Sequence, residues 1–272
     1  MDNEIIIKPG LTEKNYWKDL WRFRELFYIL SWRDIKVRYK QTVVGAAWSI
    51  IRPLLTTIIF TIVFSKVAKL DNPSAAPYAL MVFAGMLPWQ FFSNALSEAS
   101  NSLIGNSNLI SKVYFPRLII PLASIGAWLL DLAIATLLLL AMMFWYGIAF
   151  TWHLLAVPGL VVAVIFAALG VGTLLSALTV AYRDFRYVVP LMLQVWMYAT
   201  PVAYPPSAVP EQWQWLIHLN PMAGLIEGFR SAFLGLPFDW GAIAISGASA
   251  IATFVLGITY FERVERGFAD VI

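Results

Sequence analysis

Two ionisable side chains stand inside long apolar runs, Arg52 and Asp131. A charge at membrane depth is expensive, so it has either a task or a partner. Arg52 lies about ten residues into the first run, where its long stem can snorkel to the interface or present a cation to a transport path. Both readings stand at this point. Asp131 lies about a dozen residues into the third run, and a hydrogen-bonded or ion-paired carboxylate between helices is the preferred reading. One carboxylate without a relay partner is a poor proton path. Trp48 stands four residues before Arg52, on the same helical face.

Other chemistry is missing. The chain has 2 His, His153 and His218, and no Cys. Disulfides and thiolate metal sites are thereby excluded, and two His at the outer ends of apolar runs do not make a zinc site. No Gly-Lys pair occurs, so there is no phosphate-binding loop of the G-x-x-x-x-G-K-[ST] type. Neither H-E-x-x-H nor G-x-S-x-G is present. Ser93, Ser176 and Ser246 read as helix-packing serines, and Ala168, Gly172 and Ser176 are spaced by four for close helix approach. No catalytic residue, bound metal, cofactor or nucleic-acid partner is expected of this chain itself.

The elements that must position Arg52 and Asp131 are membrane helices. Of the 272 residues 60% are hydrophobic and 13% are charged, with the charges between the apolar blocks. That pattern reads as an all-α polytopic membrane protein. Six spans are expected, at 43–64, 78–96, 119–146, 154–181, 188–204 and 240–261. The fifth is short and carries Pro190 and Pro201, so protein or a water-filled path should flank it. Residues 1–42 carry nine Lys/Arg and no cleavable apolar core, which makes the first span an uncleaved anchor. Fifteen Lys/Arg fall on the side of both termini and three, Lys66, Lys69 and Arg230, on the other. The positive-inside rule then puts both termini in the cytoplasm.

The chain divides into a cytoplasmic N-terminal segment (1–42), a six-helix membrane domain (43–261) and a cytoplasmic tail (262–272). Residues 17–32 read as one amphipathic interface helix, with Trp17, Leu20, Trp21, Phe27 and Tyr28 near one face and Lys18, Arg22, Glu25 and Arg33 on the other. It anchors to the membrane surface and could also clamp a partner. The segment 205–239 is too long for a turn, and Pro221 and Gly224 split it into two short helices that dip into the outer interface.

Five local patterns give the chain a family likeness: Val44-Gly45-Ala46-Ala47-Trp48 leading to Arg52-Pro53-Leu54; Asn108 to Pro116 followed by Pro121; Tyr182-Arg183-Asp184; Thr200-Pro201-Val202 with Tyr204-Pro205; and Leu219-Asn220-Pro221-Met222 with Glu227-Gly228-Phe229-Arg230. In this order and spacing, over nearly the whole chain, the sequence resembles the permease subunit of ABC-2 exporters. Within that family it is most similar to permeases of O-antigen, capsule and teichoic-acid export. The resemblance implies a homodimer in the bacterial inner membrane, two separate ATPase subunits that bind ATP and Mg, and a lipid-linked glycan as substrate. It also implies a transport subunit that is not itself an enzyme.

It further implies that the cytoplasmic loop (97–118) carries a short coupling helix seated in a groove of the ATPase. Its composition suits that task. Leu109, Ile110, Val113, Tyr114 and Phe115 would be the apolar anchors, Asn108 opens the motif, Lys112 stands at the rim and Pro116 ends the helix. The family places spans one and five at the pathway, which makes Trp48, Arg52, Trp196 and Tyr198 the candidate lining. Gln194, Trp196, Tyr198 and Thr200 alternate by two, so a helix can turn at most one or two of them inward. Aromatic faces stack on sugar rings, and Arg52 with Trp48 could meet a phosphate and the first sugars in turn. The alternatives are an exporter of a small hydrophobic compound and a membrane-bound glycan-processing enzyme; the second needs clustered acidic residues, and the sequence has no such cluster.

Overall fold

The structure, a computed structural model, describes residues 16–40, 47–67, 77–206, 209–210, 212–213, 217 and 220–268. The described residues form helices and connections, with no strand among them.

At the centre is α4 (Tyr78–Gly105), lined on nearly every side by other helices. It contains Pro88, which a membrane helix tolerates when neighbours cover the freed backbone groups. At 1.5 Å per residue it is about 42 Å long, more than the roughly 30 Å of a hydrocarbon core. The apolar run alone predicts an end near residue 96, yet the helix continues to Gly105. Its polar residues turn back on their own helix: Ser100 Oγ and Asn101 Nδ2 donate to the Ser97 carbonyl at 2.8 and 2.9 Å, and Ser102 Oγ donates to Ala99 at 2.7 Å. Polarity there is met within the helix and does not end it.

The third predicted span is two helices, α6 (Ile119–Ser124) and α7 (Gly126–Trp145). At the join, Ser31 Oγ donates to the Ala123 carbonyl at 3.0 Å, and a Cβ on Gly126 would come within 2.9 Å of the Ser31 Cβ. A glycine is needed where the N-terminal helix crosses. The fourth span opens with a 3₁₀ turn (Trp152–Ala156) and continues as α8 (Val157–Ala181); the last is α11 (Trp240–Val264), N-capped by Asp239. Here α8 and α11 meet backbone to backbone. A Cβ on Gly170 would lie 2.4 Å from Phe254 N, and one on Gly257 would lie 2.1 Å from the Gly170 carbonyl oxygen. Ala168, Gly172 and Ser176 are buried as the spacing by four suggests, with Gly172 against Ala99 of α4.

Among the described residues, four helical stretches are long and apolar enough to cross a membrane: Tyr78–Gly105, Ile119–Trp145, Trp152–Ala181 and Trp240–Val264. The other two predicted spans give shorter helices within the described residues. Of the first, α3 (Trp48–Phe60) runs into a π-helical turn (Thr61–Val67). The fifth is α9 (Phe185–Ala199), which ends before Pro201, short of the predicted residue 204.

The described part of the N-terminal segment is two helices, α1 (Tyr16–Arg22) and α2 (Arg24–Lys40), with the break at Phe23. Two apolar rows coexist where one was expected. Leu20, Phe23, Leu26 and Leu30 pack on the protein, while Trp17, Trp21, Phe27 and Tyr28 are exposed. Of the outer segment, α10 (Ala223–Leu234) is described in full. It is almost wholly buried against α4, α8 and α11, and Gly235 ends it at φ 68°. The other short helix expected there falls mostly outside the described residues, as do His218 and Leu219.

Candidate functional site

The end of α2 meets α3, α4 and α7 around a cavity of about 310 Å³. From α2 come Arg38 and Tyr39, from α3 Trp48, Ser49 and Arg52, from α4 Gln90 and Asn94, and from α7 Trp128 and Asp131. The two ionisable residues singled out from sequence therefore share one cavity.

Asp131 is the junction of three helices. Arg38 Nη1 donates to Oδ2 at 3.3 Å, and Tyr39 Oη and Ser49 Oγ both donate to Oδ1. The Arg38 guanidinium also lies over the Trp128 ring, 3.4 Å from its centroid. This is the interhelical, ion-paired carboxylate that the sequence favoured. Burial is the main reason the Tyr39 phenol is held above its usual pKa, and its bond to Asp131 adds to this.

Arg52 differs. Its side chain is exposed and forms no ion pair with a described residue. Its carbonyl accepts from Thr56 Oγ1 at 2.9 Å. Trp48, one turn earlier, is 51% exposed. The cavity thus combines a neutralised cation, a second cation with no ion pair among the described residues, two indoles and two amide side chains.

Trp196 and Tyr198 do not line this cavity. Trp196 is half-buried, its ring 5.1 Å from Phe92 and 6.3 Å from Trp89, and its Nε1 donates to Asn220 Oδ1 at 3.1 Å. Tyr198 is 60% exposed. Along the alternation, Gln194 and Tyr198 are exposed while Trp196 and Thr200 turn toward the protein.

The Trp196–Asn220 bond belongs to a lock between the fourth and fifth sequence patterns. Asn220 Nδ2 donates to Thr200 Oγ1 at 2.7 Å, and Asn220 Oδ1 also accepts from Met222 N at 3.0 Å. Arg230, 1% exposed, donates to the carbonyls of Val202, Met81 and Tyr204 at 2.6, 3.3 and 3.4 Å and pairs with Glu227 at 3.1 Å. A Cβ on Gly85 would meet both Arg230 and the Val202 carbonyl. Its place between the fifth and sixth expected spans makes Arg230 an outer-side charge by sequence; its side chain is a buried cap on the carbonyls that follow α9.

The motif from Asn108 to Pro116 folds differently from the expected coupling helix. The helical part is α5 (Ser107–Ile110), four residues long, and it closes at Ile110, well before Pro116. Ile110 and Phe115 are buried in a small second core, and Pro116 is buried beside them. They are not available as anchors for a partner. Leu109 is half-buried, while Asn108, Ser111, Lys112, Val113 and Tyr114 are exposed. Apolar composition cannot tell a residue that seats a loop on its own protein from one that the loop offers outward.

His153 accepts or donates through Nδ1 with Thr151 Oγ1 at 3.1 Å and stacks on Trp152. Among the described residues no three His, Asp or Glu side chains converge as metal ligands.

Comparison with known proteins matches residues 25–234 to the ABC-2 type transporter family. An O-antigen export system permease protein RfbA of Klebsiella pneumoniae is 29% identical over 250 residues, covering 91% of this chain and 95% of that protein. The RfbA of Myxococcus xanthus is 27% identical over 259 residues, 94% of this chain and 98% of its own. The polysialic acid transport protein KpsM of Escherichia coli is 21% identical over 248 residues, covering 86% and 91%. With four membrane-length helices, the five sequence patterns and a family match over most of its length, the chain belongs to the ABC-2 type transporter family as a multi-pass membrane protein.

Proposed function

We propose that this chain is the transmembrane permease of an ATP-driven exporter that moves a lipid-linked polysaccharide across the bacterial inner membrane from its cytoplasmic side. It works as a homodimer with two separate ATPase subunits, which bind ATP and Mg. It carries no catalytic centre of its own. The helix Trp48–Phe64 and α9 complete six spans, with both termini in the cytoplasm, as the Lys/Arg asymmetry supports. The exposed loop 111–114 is the part that meets the ATPase.

The observation that carries this reading is the pairing of Arg52 with Trp48 in one cavity. An exposed guanidinium with no ion pair among the described residues suits a phosphate, and an indole one turn away suits the first sugars. Relatives named for O-antigen export and polysialic acid transport support a glycan substrate. An exporter of a neutral hydrophobe would have no use for a cation held at this depth.

The test compares Arg52→Ala and Trp48→Ala with the parent. Each should lower surface polysaccharide several-fold while dimer assembly, ATPase binding and thermal stability stay close to the parent. If export falls only in step with assembly or stability, both residues are structural and the path lies elsewhere.

A further inference from the structure

Glu265 lies in the turn that follows α11, where it receives two segments remote in sequence. Tyr16 Oη donates to its Oε2 at 2.7 Å, and the Arg117 backbone N–H donates to its Oε1 at 2.6 Å. The Arg117 guanidinium in turn donates to the Glu265 carbonyl. Burial raises the Glu265 carboxyl above the usual range, and the bonds from Tyr16 and Arg117 pull it back. Phe261 and Phe268 flank the turn with centroids 5.4 Å apart, in the same small core as Phe115 and Leu118.

The exposed residues 111–114 are therefore bounded by buried Ile110 on one side and by Phe115, Pro116 and clamped Arg117 on the other. A short loop fixed at both ends moves with its anchors. The Arg117 anchor is the end of α11, and α11 touches α8 backbone to backbone at Gly170 and Gly257. Close-packed helices pass a displacement on rather than absorb it.

We infer that Glu265 is a positioning residue: through Arg117 it ties loop 111–114 to α11, so that movement of the loop enters the membrane bundle. This rests on the assignment of that loop to the ATPase. Tyr16 joins the same carboxylate and brings α1 into the unit.

The chain has no Cys, so Val113→Cys takes a single nitroxide label. In the full-length permease in lipid nanodiscs, the label's spectrum should be broad in the parent and sharpen in Glu265→Ala. Glu265→Gln, whose amide oxygen still accepts from Arg117, should stay broad. Tyr16→Phe, which keeps the ring and loses one donor, should fall between them, and it serves if Glu265→Ala does not fold. Identical spectra in all four proteins would overturn the clamp. In the assembled permease–ATPase complex, Glu265→Ala should hydrolyse ATP near the parent rate but export roughly threefold or more less polysaccharide per ATP, with Glu265→Gln restoring the ratio. An unchanged ratio with a mobile loop would overturn the transmission role. A Val113→Asp, Tyr114→Asp variant that still co-purifies fully with the ATPase would sink the loop assignment instead, because the spectra do not depend on the ATPase.

Discussion

The Arg38 guanidinium is held between the Asp131 carboxylate, 3.3 Å away, and the face of Trp128, 3.4 Å from its centroid. Arg38 lies in the last turn of α2, and Asp131 lies in α7, so this pair fastens the N-terminal helix to the bundle. Tyr39 and Ser49 fill the other carboxylate oxygen. One consequence is structural: α2 and α3 are both tied to α7 through Asp131. The other is electrostatic: Arg38 is neutralised by Asp131, while Arg52 in the cavity wall pairs with no carboxylate among the described residues.

Asp131→Asn keeps the shape and removes the charge, leaving Arg38 over Trp128 without its counter-ion. It should cost about 1–3 kcal/mol, the range for losing a charged partner of a hydrogen-bonded group. Arg38→Ala should cost less, since it also removes the group that needed neutralising. The double variant should be less destabilised than the sum of the two, by roughly 0.5–3 kcal/mol. Thermal or denaturant unfolding of the four purified proteins measures this, and strictly additive losses would show that the pair does not couple.

The place of Trp196 separates lining from locking. Its indole N–H is spent on Asn220, and its ring packs on Phe92. Trp196→Phe should therefore export normally and lose about 1 kcal/mol of stability, one hydrogen bond's worth. Asn220→Ala removes the bonds to Trp196, Thr200 and Met222 together and should lower folded yield and export in parallel. The measurement is surface polysaccharide against the amount of monodisperse permease. A Trp196→Phe variant that is stable yet fails to export would return Trp196 to the path.

Much of this architecture is legible in the sequence because lipid imposes a simple code. Long apolar blocks locate α7, α8 and α11, and the lone carboxylate Asp131 needs a partner between helices, which Arg38 supplies. The end of α4 was not legible, because the Ser and Asn residues that satisfy themselves on the preceding turn look the same as loop residues. Nor was the burial of Arg230: its acceptors are the carbonyls of Val202, Met81 and Tyr204, and backbone groups carry no sequence signal. Ile110 and Phe115 read as outward anchors because hydrophobicity does not state which core a residue joins. The Gly170–Gly257 contact lies between two helices distant in sequence, so spacing within either one could not reveal it. The Tyr16–Glu265–Arg117 junction is hidden for the same reason.

Topology is the remaining prediction, and it tests the charge asymmetry directly. Lys112 sits in the exposed loop assigned to the cytoplasm, and Phe150 is exposed in the connection between α7 and the 3₁₀ turn, on the opposite side of one span. Neither side chain joins a buried core, so a cysteine at either place should leave the fold intact, and the Cys-free chain gives no background. A membrane-impermeant maleimide added to intact spheroplasts should label Phe150→Cys and spare Lys112→Cys; permeabilised membranes should label both. The opposite pattern would invert the orientation, since the single stretch Ile119–Trp145 separates these two positions in either case. Inversion would place the 111–114 loop outside, beyond the reach of any ATPase. The Arg38–Asp131 lock and the cavity would survive that result as structure, while the cytoplasmic entry of an anionic substrate past Arg52 would not.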